Sequence, residues 1–200
     1  MASGYLSRTA HLQGRLTEMK DLLREALQAS KQTNDRWGIS LALEQMALVA
    51  KAGNDDNEAQ RLFDESIEVS RETGDWWSLS RVLNQAGYFA LEQGDITRAR
   101  ACFLEGCQAA QTAHVPPNIL NSLAGLAEIH LRQGKNEHAM ELTFYVLSDR
   151  ASPPDTKQRA ESMLAELERQ LSPEQRDSIQ KSAQSMPLEA MIQKILALSA

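Results

Sequence analysis

Asp75-Trp76-Trp77-Ser78-Leu79, continuing through Leu83, Gly87, Ala90, Gly94-Asp95, Ala99 and Phe103 to His114, is the stretch that decides the fold. Val82, Leu83, Ala86, Gly87, Phe89 and Ala90 recur at spacings of three and four, which puts them on one face of a helix. Gly94 can take the left-handed conformation that ends a helix, and Asp95 or Thr97 can cap the next one through a side-chain oxygen. That second helix gathers Ala99, Cys102, Phe103, Gly106, Cys107 and Ala110 on one face. Small residues (Gly87, Ala90, Ala99) set against large ones (Leu83, Phe103) let two antiparallel helices approach and interlock.

The same unit recurs on either side at about forty residues. Trp37, Leu43, Ala47, Ala50, Ala59 and Phe63 stand forty before Trp77, Leu83, Gly87, Ala90, Ala99 and Phe103. Leu123, Ala127, Gly134 and Ala139 stand forty after Leu83, Gly87, Gly94 and Ala99. The third unit departs in detail: Pro116-Pro117 replaces the Trp opening, and His130 and Thr143 take the places of Ala90 and Phe103. In the first unit Gly53 precedes the Gly94 position by one residue. Gly14 stands twice the repeat before Gly94, so residues 5–13 read as the end of a helix and 16–33 as the next one.

These spacings predict an all-α chain, an α-solenoid of stacked antiparallel helix pairs with a period of about 40. The array covers 1–150, as a partial unit to about 34 and full units at 35–74, 75–114 and 115–150. Residues 151–200 are expected to be capping helices that leave the repeat, one opened by the capping box Ser172-Pro173-Glu174-Gln175.

Composition narrows the function. Apolar residues make up 42% and aromatics 5%, which suits Leu- and Ala-rich helix packing. A net charge of −6 with no basic face argues against direct nucleic-acid binding. No apolar run approaches a membrane span, and the N-terminus lacks the pattern of a secretion signal. Cys102 and Cys107, five apart on one helix, read as reduced core thiols of a cytoplasmic protein. No catalytic set, cofactor motif or metal-ligand spacing stands out; His114, His130 and His138 lack converging partners in the sequence. The acidic turn Asp55-Asp56-Asn57-Glu58 lacks the Gly and distal Glu of a calcium loop.

Leu83-Asn84-Gln85-Ala86-Gly87-Tyr88-Phe89-Ala90-Leu91-Glu92-Gln93-Gly94-Asp95, followed by Ala99-Arg100-Ala101-Cys102-Phe103, resembles a tetratricopeptide repeat. The longer period and the Gly-Asp-Trp opening resemble the C-terminal sensor repeats of bacterial signalling ATPases and transcriptional regulators of the maltose-activator type. That resemblance implies a regulatory repeat that senses a small effector or a partner protein, beside a nucleotide-binding domain. No phosphate loop of the form G-x-x-x-x-G-K-[ST] lies in this sequence.

In such a stack the first helices line the concave side. Residues turned away from each pair's core are Leu41, Glu44, Leu48 and Lys51, then Arg81, Asn84, Tyr88 and Leu91, then Asn121, Ala124, Glu128, Leu131 and Arg132. Tyr88 flanked by Asn84 and Arg81 has the composition of a contact cluster. The alternative is that these are ordinary face residues, with Tyr88 packing on a neighbouring repeat. Trp37 and Trp77 are expected to wedge between units, whereas Trp76, matched by Arg36, is the candidate exposed contact. The expected role is non-catalytic binding of a protein segment or small effector; the alternative is a scaffold or homo-oligomer.

Overall fold

The computed structural model describes residues 2–197, with side chains from residue 14 onward. Among the described residues it consists of ten α-helices and no strand: α1 (Ala2–Gln32), α2 (Arg36–Ala52), α3 (Asp56–Thr73), α4 (Trp76–Glu92), α5 (Ile96–Thr112), α6 (Pro116–Arg132), α7 (Asn136–Ser148), α8 (Pro154–Leu167), α9 (Pro173–Ser185) and α10 (Leu188–Ala197). The fold class is an all-helical array of helix pairs of α-solenoid type.

The turns carry the repeat more faithfully than the helices do. Asn34, Gly74 and His114 have φ of 53°, 65° and 55°, and Asn54, Gly94 and Gly134 have φ of 57°, 78° and 70°. Each set is spaced by forty residues, so each of the six turns from α1 to α7 is built on one left-handed residue. Asn54, not Gly53, therefore occupies the Gly94 position; Gly53 is a helix cap at φ −88°. Asn tolerates this conformation better than other non-glycine residues, which is why the turn survives without glycine. An Asp follows in four of the six turns. Asp35, Asp55, Asp75 and Asp95 accept hydrogen bonds from the backbone N–H groups of Gly38, Glu58, Ser78 and Arg98, three residues on. In the third unit Val115 and Lys135 stand there and give no side-chain cap.

The reading of a turn at Gly14 is corrected: α1 is one helix through it. Gly14 is followed by Arg15 rather than by a capping Asp, so nothing offsets the loss of helical hydrogen bonds that a turn would require. The side chains of the expected short helix at 5–13 lie outside the described ones.

The chain divides into two compact units, residues 1–82 and 83–200. In unit 1, α2 packs on both α1 and α3. Leu43, Ala47, Ala50, Ala59, Leu62 and Phe63 form its interior. Three buried serines add polar stitches between α2 and α3: the hydroxyls of Ser40 and Ser70 pair at 2.6 Å, and Ser66 donates to the Ser40 carbonyl at 2.8 Å. Each such bond, fully enclosed, is worth about 1 kcal/mol.

In unit 2, α5 packs on α6, α6 on α7 and α8, and α7 on α8 and α9. Phe103 is its keystone, fully buried with its ring against two glycines. A β-carbon at Gly87 would lie 2.8 Å from the ring, and one at Gly125 would overlap it. Both glycines thus serve close approach rather than flexibility. Tyr88 meets the same ring edge-on, with centroids 4.9 Å apart. Cys102 and Cys107 are buried and unbridged, and burial pushes the Cys107 thiol up to about 12.

Candidate functional site

Where two successive first helices meet, the expected contact cluster around Asn84 and Tyr88 becomes a seam. Asn84 Nδ2 on α4 donates to the Asn118 carbonyl on α6 at 2.9 Å, and Ser122 Oγ donates to Asn84 Oδ1 at 2.7 Å. The Tyr88 hydroxyl donates to the Asn121 carbonyl at 3.1 Å. Arg132 Nη1 donates to the Leu91 carbonyl at 2.7 Å, while its Nη2 holds Glu128 at 2.6 Å. Asn84, Tyr88 and Leu91 are buried, and burial raises the Tyr88 phenol above its ordinary range. Their polar atoms fasten α4 to α6, so the packing alternative for Tyr88 describes its position. Ala124 is buried beside them.

Glu128, Leu131 and Arg132 face a different space, an open cleft of about 390 Å³ whose other wall is Arg159, Ser162, Met163 and Glu166 of α8. The Arg159 guanidinium also lies over the Tyr88 ring, 4.1 Å from its centroid. Reading the chain from 151 onward as a cap misses these α8 residues. The register of α8 carries the signal: Ala160, Met163 and Leu167 fall forty after Leu120, Leu123 and Ala127, and all six are buried. α8 therefore stands as another first helix in the series.

In unit 1 the residues behave differently. Leu41, Leu48 and Lys51 are half-buried on α2. Glu44 is 1% exposed, with its carboxylate 2.5 Å from the Arg81 guanidinium. Burial raises the Glu44 carboxyl from 4.5 to about 7, outweighing the opposing attraction of Arg81. Arg81 also stacks on Trp77, 5.2 Å from the ring centroid.

The expectation that Trp37 and Trp77 wedge between units is corrected. They are 51% and 43% exposed, and Trp76 is 43% exposed. Each sits in the first turn of its helix, where side chains lean toward the N-terminus and so toward the turn and water. Met19 and Leu22 on α1 are exposed as well. Among the described residues no group of three or more His, Cys, Asp or Glu side chains could hold a metal ion, and no helix is long and apolar enough to cross a membrane.

No protein-family model matches the chain, and no curated protein matches it. Solved structures do. The crystal structure of BtubC (BKLC) from P. vanneervenii superposes with a TM-score of 0.65 at 12% identity, covering 94% of this chain and 76% of that one. A single-substitution variant of a putative kinesin light chain with nearly identical TPR-like repeats, from Podosopora anserina, gives 0.60 at 17% identity, covering 98% and 93%. The structure of the same protein without that substitution gives 0.58 with the same identity and coverage. At such identities the likeness speaks for the fold, which is that of a tetratricopeptide-like helical repeat.

Proposed function

We propose that the chain is a non-catalytic interaction module that takes an extended protein segment into the cleft between α6 and α8. The observation that carries this reading is the cleft itself. It is open, about 390 Å³, and walled by successive first helices with charges of both signs (Glu128, Arg132, Arg159, Glu166) around Leu131 and Met163. Charged rims with an apolar centre favour a peptide over nucleic acid, and a chain of net charge −6 agrees. On unit 1 the exposed Trp76, with Trp37 and Trp77, offers a second contact surface rich in the residue type that anchors interfaces.

On this reading α9 and α10 close the end of the array, and the chain serves as the regulatory repeat of a bacterial cytoplasmic signalling or transcription-regulatory protein. The forty-residue period and the Gly-Asp-Trp opening support that assignment. Selection from a random peptide display library tests the cleft. A selected peptide should bind the native chain and lose about tenfold or more in affinity with Arg159→Glu, the loss of one interfacial charge pair. Peptides indifferent to that change would sink the assignment. The exposed Met19 and Leu22 favour one rival, self-association through α1. A mass by light scattering that stays monomeric across concentration removes it.

A further inference from the structure

α1 carries an apolar stripe that the array leaves uncovered. Met19 and Leu22 are 46% and 59% exposed, and Ala26 and Ala29 continue the same face, exposed as well. The repeat supplies a reference for each position. Leu22 stands forty before Leu62, and then before Cys102 and Leu142; Ala26 stands forty before Ser66, and then before Gly106 and Val146. Every one of these counterparts in α3, α5 and α7 is buried.

The later units also show what covers them. Ser66 Oγ on α3 donates to the Ser40 carbonyl of α2 at 2.8 Å. A β-carbon at Gly106 on α5 would lie 3.4 Å from the Leu83 β-carbon of α4. In both cases the covering residue belongs to the first helix of the same pair. The stripe is therefore the face by which a second helix meets its own first helix. By register α1 is a second helix, but it packs chiefly on α2, the first helix of the next pair. Because α1 runs straight through Gly14, residues 2–13 do not fold back over the stripe.

First helices meet this face with a shared pattern, a leucine followed at four and seven residues by small ones: Leu43, Ala47 and Ala50 in α2, and Leu83, Gly87 and Ala90 in α4. A second copy of the chain has no such face to offer, since these residues are already enclosed in its own array. We infer that the α1 stripe docks an amphipathic helix of this first-helix type, supplied from outside the array, with its leucine seated over Ala26. This surface lies in unit 1 and does not depend on the α6–α8 cleft. One position is overfilled: Met19 stands where the later units have Ala59, Ala99 and Ala139, each fully buried. A docked helix must stand off from that thioether, which holds the two axes farther apart than in the other pairs.

A fluorescein-labelled peptide of residues 75–94, which is α4 with its flanking turn residues, is the probe. Titrated with the full chain and read by fluorescence anisotropy, it should bind saturably. Leu22→Glu, at a residue too exposed to disturb the fold, should weaken binding about tenfold or more, as loss of a central apolar anchor does. The same peptide carrying Leu83→Glu should not bind. Met19→Ala should tighten binding about fivefold by restoring the small residue of the other pairs, whereas a merely sticky patch would lose affinity with the lost apolar area. Binding that ignores Leu22→Glu, equal binding of the Leu83→Glu peptide, no gain with Met19→Ala, or a loss with Arg159→Glu, which would put the peptide in the α6–α8 cleft, would overturn the inference. So would a dimer that Leu22→Glu abolishes and the peptide does not displace, since the occupant would then be a second copy.

Discussion

Unit 1 and unit 2 are made from the same helical pair, yet they place their large side chains differently. Met19, Leu22, Trp37, Trp76 and Trp77, the large hydrophobic residues exposed among those described, all belong to unit 1. Unit 2 encloses Tyr88, Phe89, Phe103 and Tyr145, and its α10 adds Met191, Ile192 and Ile195 to the same interior. In unit 1, Leu16, Leu23 and Leu27 of α1 are half-buried, and α1 packs chiefly on α2. An amphipathic stripe needs neighbours on more than one side to leave water completely. The difference teaches that a repeat's sequence encodes which faces are apolar, while the number of neighbours decides which of them are covered.

The sharpest way to break that contrast is to truncate one aromatic in each unit. Phe103→Ala empties a site bounded by Gly87 and Gly125, which cannot collapse without moving two helices, and should cost about 3–5 kcal/mol. Trp77→Ala removes a larger side chain that is 43% exposed and should cost no more than about 1 kcal/mol. Urea unfolding of both variants checks this. Comparable losses would mean that the tryptophan is structural after all.

The two units should also answer pH with opposite signs. Burial raises the folded-state pKa of Glu44 from 4.5 to about 7, so the fold favours its protonated form. Its contribution is fully present below pH 4.5 and lost as pH rises to about 7, at most roughly 3 kcal/mol. Glu44→Gln should flatten the pH dependence of unit 1 across that window. His130 in unit 2 is depressed from 6.5 to about 4, so its contribution is present above pH 6.5 and lost as pH falls toward 4. After screening at a partly exposed ring, this amounts to about 1–2 kcal/mol. His130→Asn should remove it. Hydrogen exchange resolved by segment distinguishes the two trends, and a common sign in both units would refute the comparison.

Much of this architecture is legible in the sequence because turn chemistry and helix periodicity are local. Gly94-Asp95 and the Leu83–Phe103 spacing dictate a helix pair wherever they occur, and the same signals place the neighbouring pairs. The candidate site is less legible. Asn84 and Tyr88 have the composition of a binding surface, and only the approach of α6, permitted by Gly125 against Phe103, turns them into a seam. The α8 wall with Arg159 is hidden because Pro153-Pro154 replaces the left-handed turn that marks the earlier units. Trp37 and Trp77 mislead for the opposite reason: their forty-residue recurrence is real, but recurrence at a first helical turn places a ring at the edge.

The smallest effect sharpens the comparison at the turns. Lys135 of unit 2 occupies the position at which Asp55 in unit 1 caps the second helix of its pair through the Glu58 N–H. The turn before it is otherwise equivalent, with Gly134 at φ 70° where Asn54 has 57°. Lys135→Asp should therefore supply the missing acceptor to the first turn of α7 and replace a positive charge with a negative one at a helix N-terminus. Both changes act in the same direction, and about 1 kcal/mol of stabilisation is expected. Glu137 in the same turn is already acidic, and repulsion from it sets the upper bound on the gain. A rise in the thermal midpoint of Lys135→Asp, absent in Lys135→Ala, would assign the effect to the cap. Equal behaviour of the two variants would show that the turn is already held by its backbone bond from the Lys135 N–H to the His130 carbonyl at 2.9 Å.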